Sequence, residues 1–134
     1  MKVEDIEGIG PVHAATLQAT GIRTSDALLE RAGPKAGRDA LAAETGISAK
    51  LLLEWANACD LMRINGIGAQ FSDLLEAAGV DSAAELAQRN PASLAATFAE
   101  LNAARATTRR APTEAMVADW IVQAKQLPKV VTHG

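Results

Sequence analysis

Two short glycine-containing corners carry the residues best suited to chemistry in this sequence. They span residues 8–10 and 66–68, and each reads Gly-Ile-Gly. Glycine permits a tight turn and a close backbone approach, and Pro11 after the first corner is typical of a helix start. The unpaired N–H groups and the positive dipole end of such a helix form an anion site. We therefore expect phosphate contacts at Gly8, Gly10, Gly66 and Gly68.

Each corner continues into the same pattern of small and apolar residues. A small residue, Ala14 or Ser72, lies four positions after the second glycine, and a Gly-Ile or Gly-Val pair follows at 21–22 and 79–80. This pattern resembles the helix-hairpin-helix motif at both sites. The resemblance implies that amides at the start of the second helix meet a DNA phosphate. It also implies that hairpins act in pairs across a minor groove.

A third corner, at residues 46–50, is less regular, because its second glycine is replaced by a serine suited to capping a helix. In the resemblance to DNA-binding hairpins, Lys50 stands where a basic residue faces phosphate, and this corner would pair with residues 8–10. The densest basic group lies within the polar stretch 103–111. The further predicted nucleic-acid contacts are Gly46, Ser48, Lys50, Arg105, Arg109 and Arg110. The alternative interpretation is a solvated helical turn and a solvated loop.

Several residues depart from the DNA-binding version of the motif. The position two after the second glycine holds Val12 in the first copy and Gln70 in the second, where the motif favours a basic residue. Carboxylates that would repel phosphate flank the corners at Glu4, Asp5, Glu7 and Asp73. An alternative interpretation is therefore that the corners are only tight helix connectors.

The remaining reactive side chains predict no catalysis. Trp55, Trp120 and Cys59 lie on apolar helix stripes, which favours burial in a core over base stacking. His13 and His133 have no cysteine, histidine or carboxylate at ligand spacing, so we expect no metal site. No nucleophile–base signature, phosphate loop or dinucleotide fingerprint is present. We expect a protein that is not an enzyme and needs no cofactor.

An internal repeat relates the two halves of the sequence. The first corner returns after 58 residues, whereas a later segment returns after 65, as from Trp55 to Trp120. The difference of seven between these offsets indicates an insertion in the second copy. We predict a first helix-hairpin-helix repeat over residues 1–62 and a second over 63–134. The second carries an inserted exposed loop near 103–111 and an extended tail.

Local signals predict an all-α fold of eight or nine short helices with no real sheet. Gly21 is placed to end a helix, Ser82 and Glu85 have capping-box spacing, and Pro128 ends the last helix. Two helices carry apolar stripes with helical spacing. Their residues are Leu51, Leu52, Trp55, Ala58, Cys59 and Met62, and Met116, Val117, Trp120, Ile121, Ala124 and Leu127.

Composition limits the function further. The chain holds 16 acidic and 13 basic residues, which argues against strong DNA wrapping. A single cysteine and the absence of a long apolar run predict a cytoplasmic protein without a membrane segment. Nearly the whole chain is similar to a family of uncharacterised small bacterial proteins with tandem hairpins, a tryptophan-bearing helix in each repeat and a comparable ending.

Two functions follow from these residues. The first is non-enzymatic, sequence-tolerant binding of duplex DNA or structured RNA through hairpin amides and a few basic residues. The alternative is a protein-interaction or scaffold module, which the near-neutral charge suits better. The electrostatic potential around the hairpins separates them, since a positive surface favours nucleic acid and a negative one favours a protein partner.

Overall fold

The computed structural model describes residues 1–6, 8–105 and 110–133, with the Arg105 side chain excepted. Within that part of the chain the fold is all-α, as predicted, with eight α-helices, one 3₁₀ helix at Val3–Asp5 and no strand. The helices are α1 (Pro11–Ala19), α2 (Ser25–Ala32), α3 (Lys35–Thr45), α4 (Ala49–Met62), α5 (Ala69–Ala77), α6 (Ala83–Leu86), α7 (Pro91–Arg105) and α8 (Glu114–Gln126).

The chain divides into two compact units. Unit 1 comprises Met1–Asp60 together with Val130–Gly134, and unit 2 comprises Leu61–Lys129. The division falls in the last turn of α4, close to residue 62 where the sequence analysis ends its first repeat. The interpretation of the two halves as helix-hairpin-helix repeats stays a prediction.

Most helices begin at a side chain that satisfies a first-turn amide. Thr24, Ser82 and Thr113 accept from the amide three residues on at the starts of α2, α6 and α8. Ser48 and Asn90 do the same for α4 and α7. These hydrogen bonds satisfy donors that a helix cannot pair internally, so each cap fixes where its helix starts. The capping-box spacing predicts that the Glu85 carboxylate accepts from the Ser82 amide. In the structure this carboxylate accepts a hydrogen bond from Arg89 instead.

Apolar side chains fill both cores in the predicted pattern. Leu52, Trp55 and Cys59 of α4 are buried in unit 1. In unit 2, Trp120 of α8 packs against Phe71 and Phe98, with ring centroids 5.3 and 6.5 Å apart. Both tryptophans are therefore core residues, and the prediction of core anchors is confirmed.

Two details differ from the predicted elements. Helix α7 continues to Arg105, so the stretch that was expected to start an exposed loop at residue 103 is still helical. Residues 106–109 of that loop lie outside the described part of the chain. Met116 was assigned to the apolar stripe of α8, yet it is exposed, because it lies in the first turn ahead of the buried residues.

The segment after α8 forms what we call the tail, residues 130–133. Because these residues follow α8 directly, their position in the sequence places them with the second half of the chain. The hydrogen bonds of the tail go to unit 1 instead, where Thr132 N–H donates to the Gly33 carbonyl at 3.0 Å. The tail thus belongs to the unit that is distant from it in sequence.

Candidate nucleic-acid interface

The first corner turns on a glycine in the left-handed region. Gly8 has φ +90°, a value that L side chains rarely adopt, and the next residue, Ile9, is buried. Ile9 N–H donates to the Ile6 carbonyl at 3.2 Å, which closes the turn. Gly10 is extended and exposed, and it immediately precedes α1. The buried isoleucine holds this corner against the core while both glycines face outward.

The second corner has the same local conformation. Gly66 has φ +100°, Ile67 is buried, and its N–H donates to the Ile64 carbonyl at 3.1 Å. Gly68 is extended and exposed before α5. The four glycines predicted to form this interface therefore adopt the two tight turns that the sequence requires.

Helices α1 and α5 begin without a side-chain cap. Gly10 and Gly68 offer no acceptor side chain, and neither first turn contains an acidic residue. The first helical hydrogen bonds are from Ala14 N–H to the Gly10 carbonyl and from Ser72 N–H to the Gly68 carbonyl, both at 2.9 Å. The amides that precede Ala14 and Ser72 in these first turns make no hydrogen bond within the described residues. They are the amides of Val12, His13, Ala69, Gln70 and Phe71. Amides without such a partner at the start of a helix favour an anion.

A tryptophan lies behind each corner. A Cβ built on Gly8 would be 3.9 Å from Trp55 Nε1, whereas one built on Gly66 would be 2.9 Å from Trp120 Nε1. The imidazole of His13 packs edge-on against Trp55, with ring centroids 5.2 Å apart. The apolar stripes predict that both tryptophans are core residues, but they do not predict that each lies behind a corner. The only sequence signal for it is that both glycine–tryptophan pairs recur across the repeat.

A glutamine fixes the second corner and was missed by sequence reasoning. Gln123 Oε1 accepts from Asn65 N–H at 2.9 Å, and Gln123 Nε2 donates to the Asn65 carbonyl at 3.1 Å. Asp119 accepts a further bond from Gln123 Nε2 at 2.9 Å. The repeat offset of 65 matches Gln123 with Ala58, which has no polar atom to play this part. The second corner is therefore held by a side-chain clamp.

The third corner is a helix connection capped by its own serine. Gly46 ends α3 with φ +77°, and Ser48 Oγ accepts from Leu51 N–H at 3.1 Å. The Ser48 hydroxyl therefore already occupies the first turn of α4, where an anion would bind. Lys50 is exposed in that turn, and the same helix carries Trp55 behind the first corner. Among the corner residues, Lys50 remains a side chain that could reach a phosphate in unit 1.

The charged residues near the corners are unevenly distributed. Unit 1 contains nine acidic and six basic residues, whereas unit 2 contains seven of each. Glu4 accepts a hydrogen bond from Gln18 of α1, and Asp5 and Asp73 are exposed. Arg110 is exposed, whereas Arg109, Glu7 and the Arg105 side chain lie outside the described residues. Unit 2 thus offers the more favourable electrostatic setting for an anion.

The single thiol is unsuited to chemistry at neutral pH. Burial, and secondarily the nearby Asp26 carboxylate, raises the pKa of Cys59 from 9.0 to about 12. A thiol held neutral is a poor nucleophile and a poor metal ligand. The described residues also contain no cluster of three or more His, Cys, Asp or Glu side chains placed to hold a metal ion.

Comparison with known proteins identifies a family but no characterised relative. Residues 7–127 match the family described as Domain of unknown function (DUF4332). No curated protein and no solved structure matches the chain. Within the described ranges, every helix is too short or too polar to cross a membrane.

Proposed function

The chain belongs to the DUF4332 family, and we propose that it is a non-enzymatic, sequence-tolerant binder of duplex nucleic acid. In this proposal the two Gly-Ile-Gly corners are the turns of helix-hairpin-helix motifs. The open amides of α1 and α5 contact phosphate oxygens, and the exposed basic side chains add charge. Contacts of this kind position a protein on the backbone and read no base sequence.

The observation that carries the proposal is the contrast between helix starts. Of the eight helices in the described part of the chain, α2, α4, α6, α7 and α8 have a side-chain cap of their own. Helix α3 receives a cap from Thr132 in the tail. Only the helices that follow the Gly-Ile-Gly corners start uncapped among those described. Uncapped first-turn donors at a positive dipole end favour an anionic ligand.

The number of cations limits the affinity. Lys50 and Arg110 are exposed, and the sequence places Arg105 and Arg109 close to Arg110. On B-DNA, each neutralised phosphate contributes about −0.9 to the slope of log K against log salt concentration. We expect about three or four neutralised phosphates here. We therefore expect weak binding with a modest salt dependence, and similar affinity for unrelated duplex sequences.

Fluorescence anisotropy with labelled oligonucleotides tests the proposal directly. The chain is titrated into duplex and single-stranded probes of two unrelated sequences over a salt series. The proposal requires saturable duplex binding that weakens with salt and is independent of sequence. An absence of binding to every probe at low salt contradicts it and favours a protein-interaction module instead.

Charge substitutions in the open first turn locate the contact. Gln70→Glu places a carboxylate beside the open amides of α5, and we expect it to weaken duplex binding about five- to ten-fold. Gln88→Glu is the matched control, because it makes the same charge change at an exposed position after α6. Lys50→Glu with Arg109→Glu tests the basic residues and should weaken binding on every sequence alike. Equal effects of Gln70→Glu and Gln88→Glu would remove the α5 start from the interface.

A further inference from the structure

The tail of unit 1 is bound by the corner between α2 and α3, residues 32–38. Three hydrogen bonds meet at Thr132. Its N–H donates to the Gly33 carbonyl at 3.0 Å, its carbonyl accepts from Arg38 Nη2 at 2.7 Å, and its hydroxyl accepts from Lys35 N–H at 2.9 Å. The preceding side chain, Val131, is buried. One residue of the tail therefore uses its main-chain N–H, its carbonyl and its hydroxyl oxygen on this corner.

The α2–α3 corner is incomplete without such a segment. Helix α3 has Pro34 at its N-cap, which carries no acceptor side chain, and Thr132 supplies the missing cap. Arg38 is 4% exposed. It donates to the carbonyls of Ala32 and Gly33 at 3.0 and 2.7 Å and to Thr132. A buried cation needs acceptors for its donors, so an empty corner would leave one Arg38 donor without this partner.

The shape of the corner also fits a closely packed peptide. A Cβ added to Gly33 would lie 2.7 Å from Val130 Cγ1 and 3.1 Å from the Val130 carbonyl oxygen. The same Cβ would lie 2.6 Å from the Leu29 carbonyl oxygen, so a glycine at position 33 is required both by the end of α2 and by the close approach of the tail. The corner contacts main-chain atoms of the tail, the Thr132 hydroxyl and the side chains of Val130 and Val131. Many extended peptides offer groups of these kinds.

We propose that the α2–α3 corner is a binding site for an extended segment of a partner protein in which two apolar residues precede a threonine or serine. The tail occupies this site as an intramolecular competitor. A tethered competitor acts at an effective concentration on the order of millimolar, so a partner peptide binds weakly until the tail is displaced. This inference rests on unit 1 alone and is independent of the nucleic-acid proposal.

The probe for the test is a fluorescently labelled peptide with the sequence of residues 129–133. Its affinity is measured by anisotropy for the full chain and for Val131→Asp, which introduces a charge at a buried tail position. We expect on the order of ten-fold tighter binding to Val131→Asp, because the competing tail is released. A control peptide with valine in place of the threonine lacks the hydroxyl that caps α3, and it should bind about ten-fold more weakly than the probe.

A second measurement uses the unmodified chain and does not depend on how the variant folds. The chain is prepared with ¹³C-labelled histidine and the peptide is left unlabelled, so that only the ring signals of the chain's own two histidines, His13 and His133, are observed by NMR. Excess probe peptide should move the His133 signals towards those of an unbound tail and leave the His13 signals unchanged. Equal probe affinity for both chains, or His133 signals that stay constant at millimolar peptide, would overturn the proposal.

Discussion

The two glycine corners should respond unequally to the same substitution, although their backbones match. Gly8→Ala and Gly66→Ala each place an L side chain at φ +90° and +100°, respectively. This conformation costs about 1–2 kcal/mol in either case. The space behind the two glycines then separates the variants, because a Cβ meets Trp55 Nε1 at 3.9 Å but Trp120 Nε1 at 2.9 Å.

The closer contact cannot be relieved cheaply. Trp120 is 2% exposed and is packed between Phe71 and Phe98, so a shift of its ring disturbs the core of unit 2. Overpacking of this kind adds about 1–3 kcal/mol. We therefore expect a loss of about 1–2 kcal/mol for Gly8→Ala and about 2–5 kcal/mol for Gly66→Ala.

Native-state hydrogen exchange measures the two losses separately, because amides in each unit report on their own opening. Protection should fall more at Leu75 in Gly66→Ala than at Leu17 in Gly8→Ala. Adding Trp120→Phe should restore part of the loss in Gly66→Ala, since it removes the atom that the new Cβ meets, and a double-mutant cycle gives the coupling. Equal losses in the two single variants, or no coupling in the cycle, would refute the role assigned to Trp120.

Three further predictions concern other parts of the chain. Gln123→Ala should lower the free energy of local opening at the Asn65 amide, measured by hydrogen exchange, by about 1–3 kcal/mol. Gln126→Ala, an exposed control at the end of α8, should leave it unchanged. Equal exchange rates of the Asn65 amide in the two variants would exclude the clamp. The pKa of Cys59 rises from 9.0 in the unfolded chain to about 12 in the folded chain. Between pH 9 and pH 12, unfolding therefore releases the thiol proton. The free energy of unfolding is unaffected by this thiol below pH 9 and falls above it, by about 1.4 kcal/mol per pH unit. Cys59→Ala should show a shallower loss over that range in urea unfolding, and an identical slope would contradict the shifted pKa. Gly37→Ala should destabilise unit 1 by more than about 2 kcal/mol in thermal unfolding, because the new Cβ would lie 2.2 Å from the Arg31 carbonyl oxygen. This clash outweighs the roughly 1 kcal/mol that alanine gains over glycine in a helix. A more stable Gly37→Ala chain would contradict the prediction.

Sequence reasoning located most of the elements because their signals are local. The α1 start at Pro11 and the cap at Ser82 each depend on residues within one helical turn. The left-handed glycines of the corners were equally predictable, since only glycine tolerates such a φ readily. The end of α7 was not, because Ala103, Ala104 and Arg105 are all strong helix formers and no glycine or proline stands among them to mark a helix end.

The candidate site was predicted in part. The four glycines of the corners were found from their spacing, and the structure adds that the amides beyond them are uncapped. The Gln123 clamp was not found, because Gln123 and Asn65 are 58 residues apart and neither type is unusual on an exposed surface. Whether the corners belong to true helix-hairpin-helix repeats that bind nucleic acid stays a prediction.

The sequence by itself therefore determined the helices, the conformation of the glycine corners and the burial of Trp55 and Trp120, because caps, φ preferences and helical periodicity all operate over a few neighbouring residues. Only the tertiary structure decided that Thr132 caps α3 from 97 residues away and that Arg38 is buried among carbonyls. Those partners are fixed by how the chain returns on itself. Contacts of that kind leave no periodicity in one sequence, because the geometry that creates them exists only once the helices have packed.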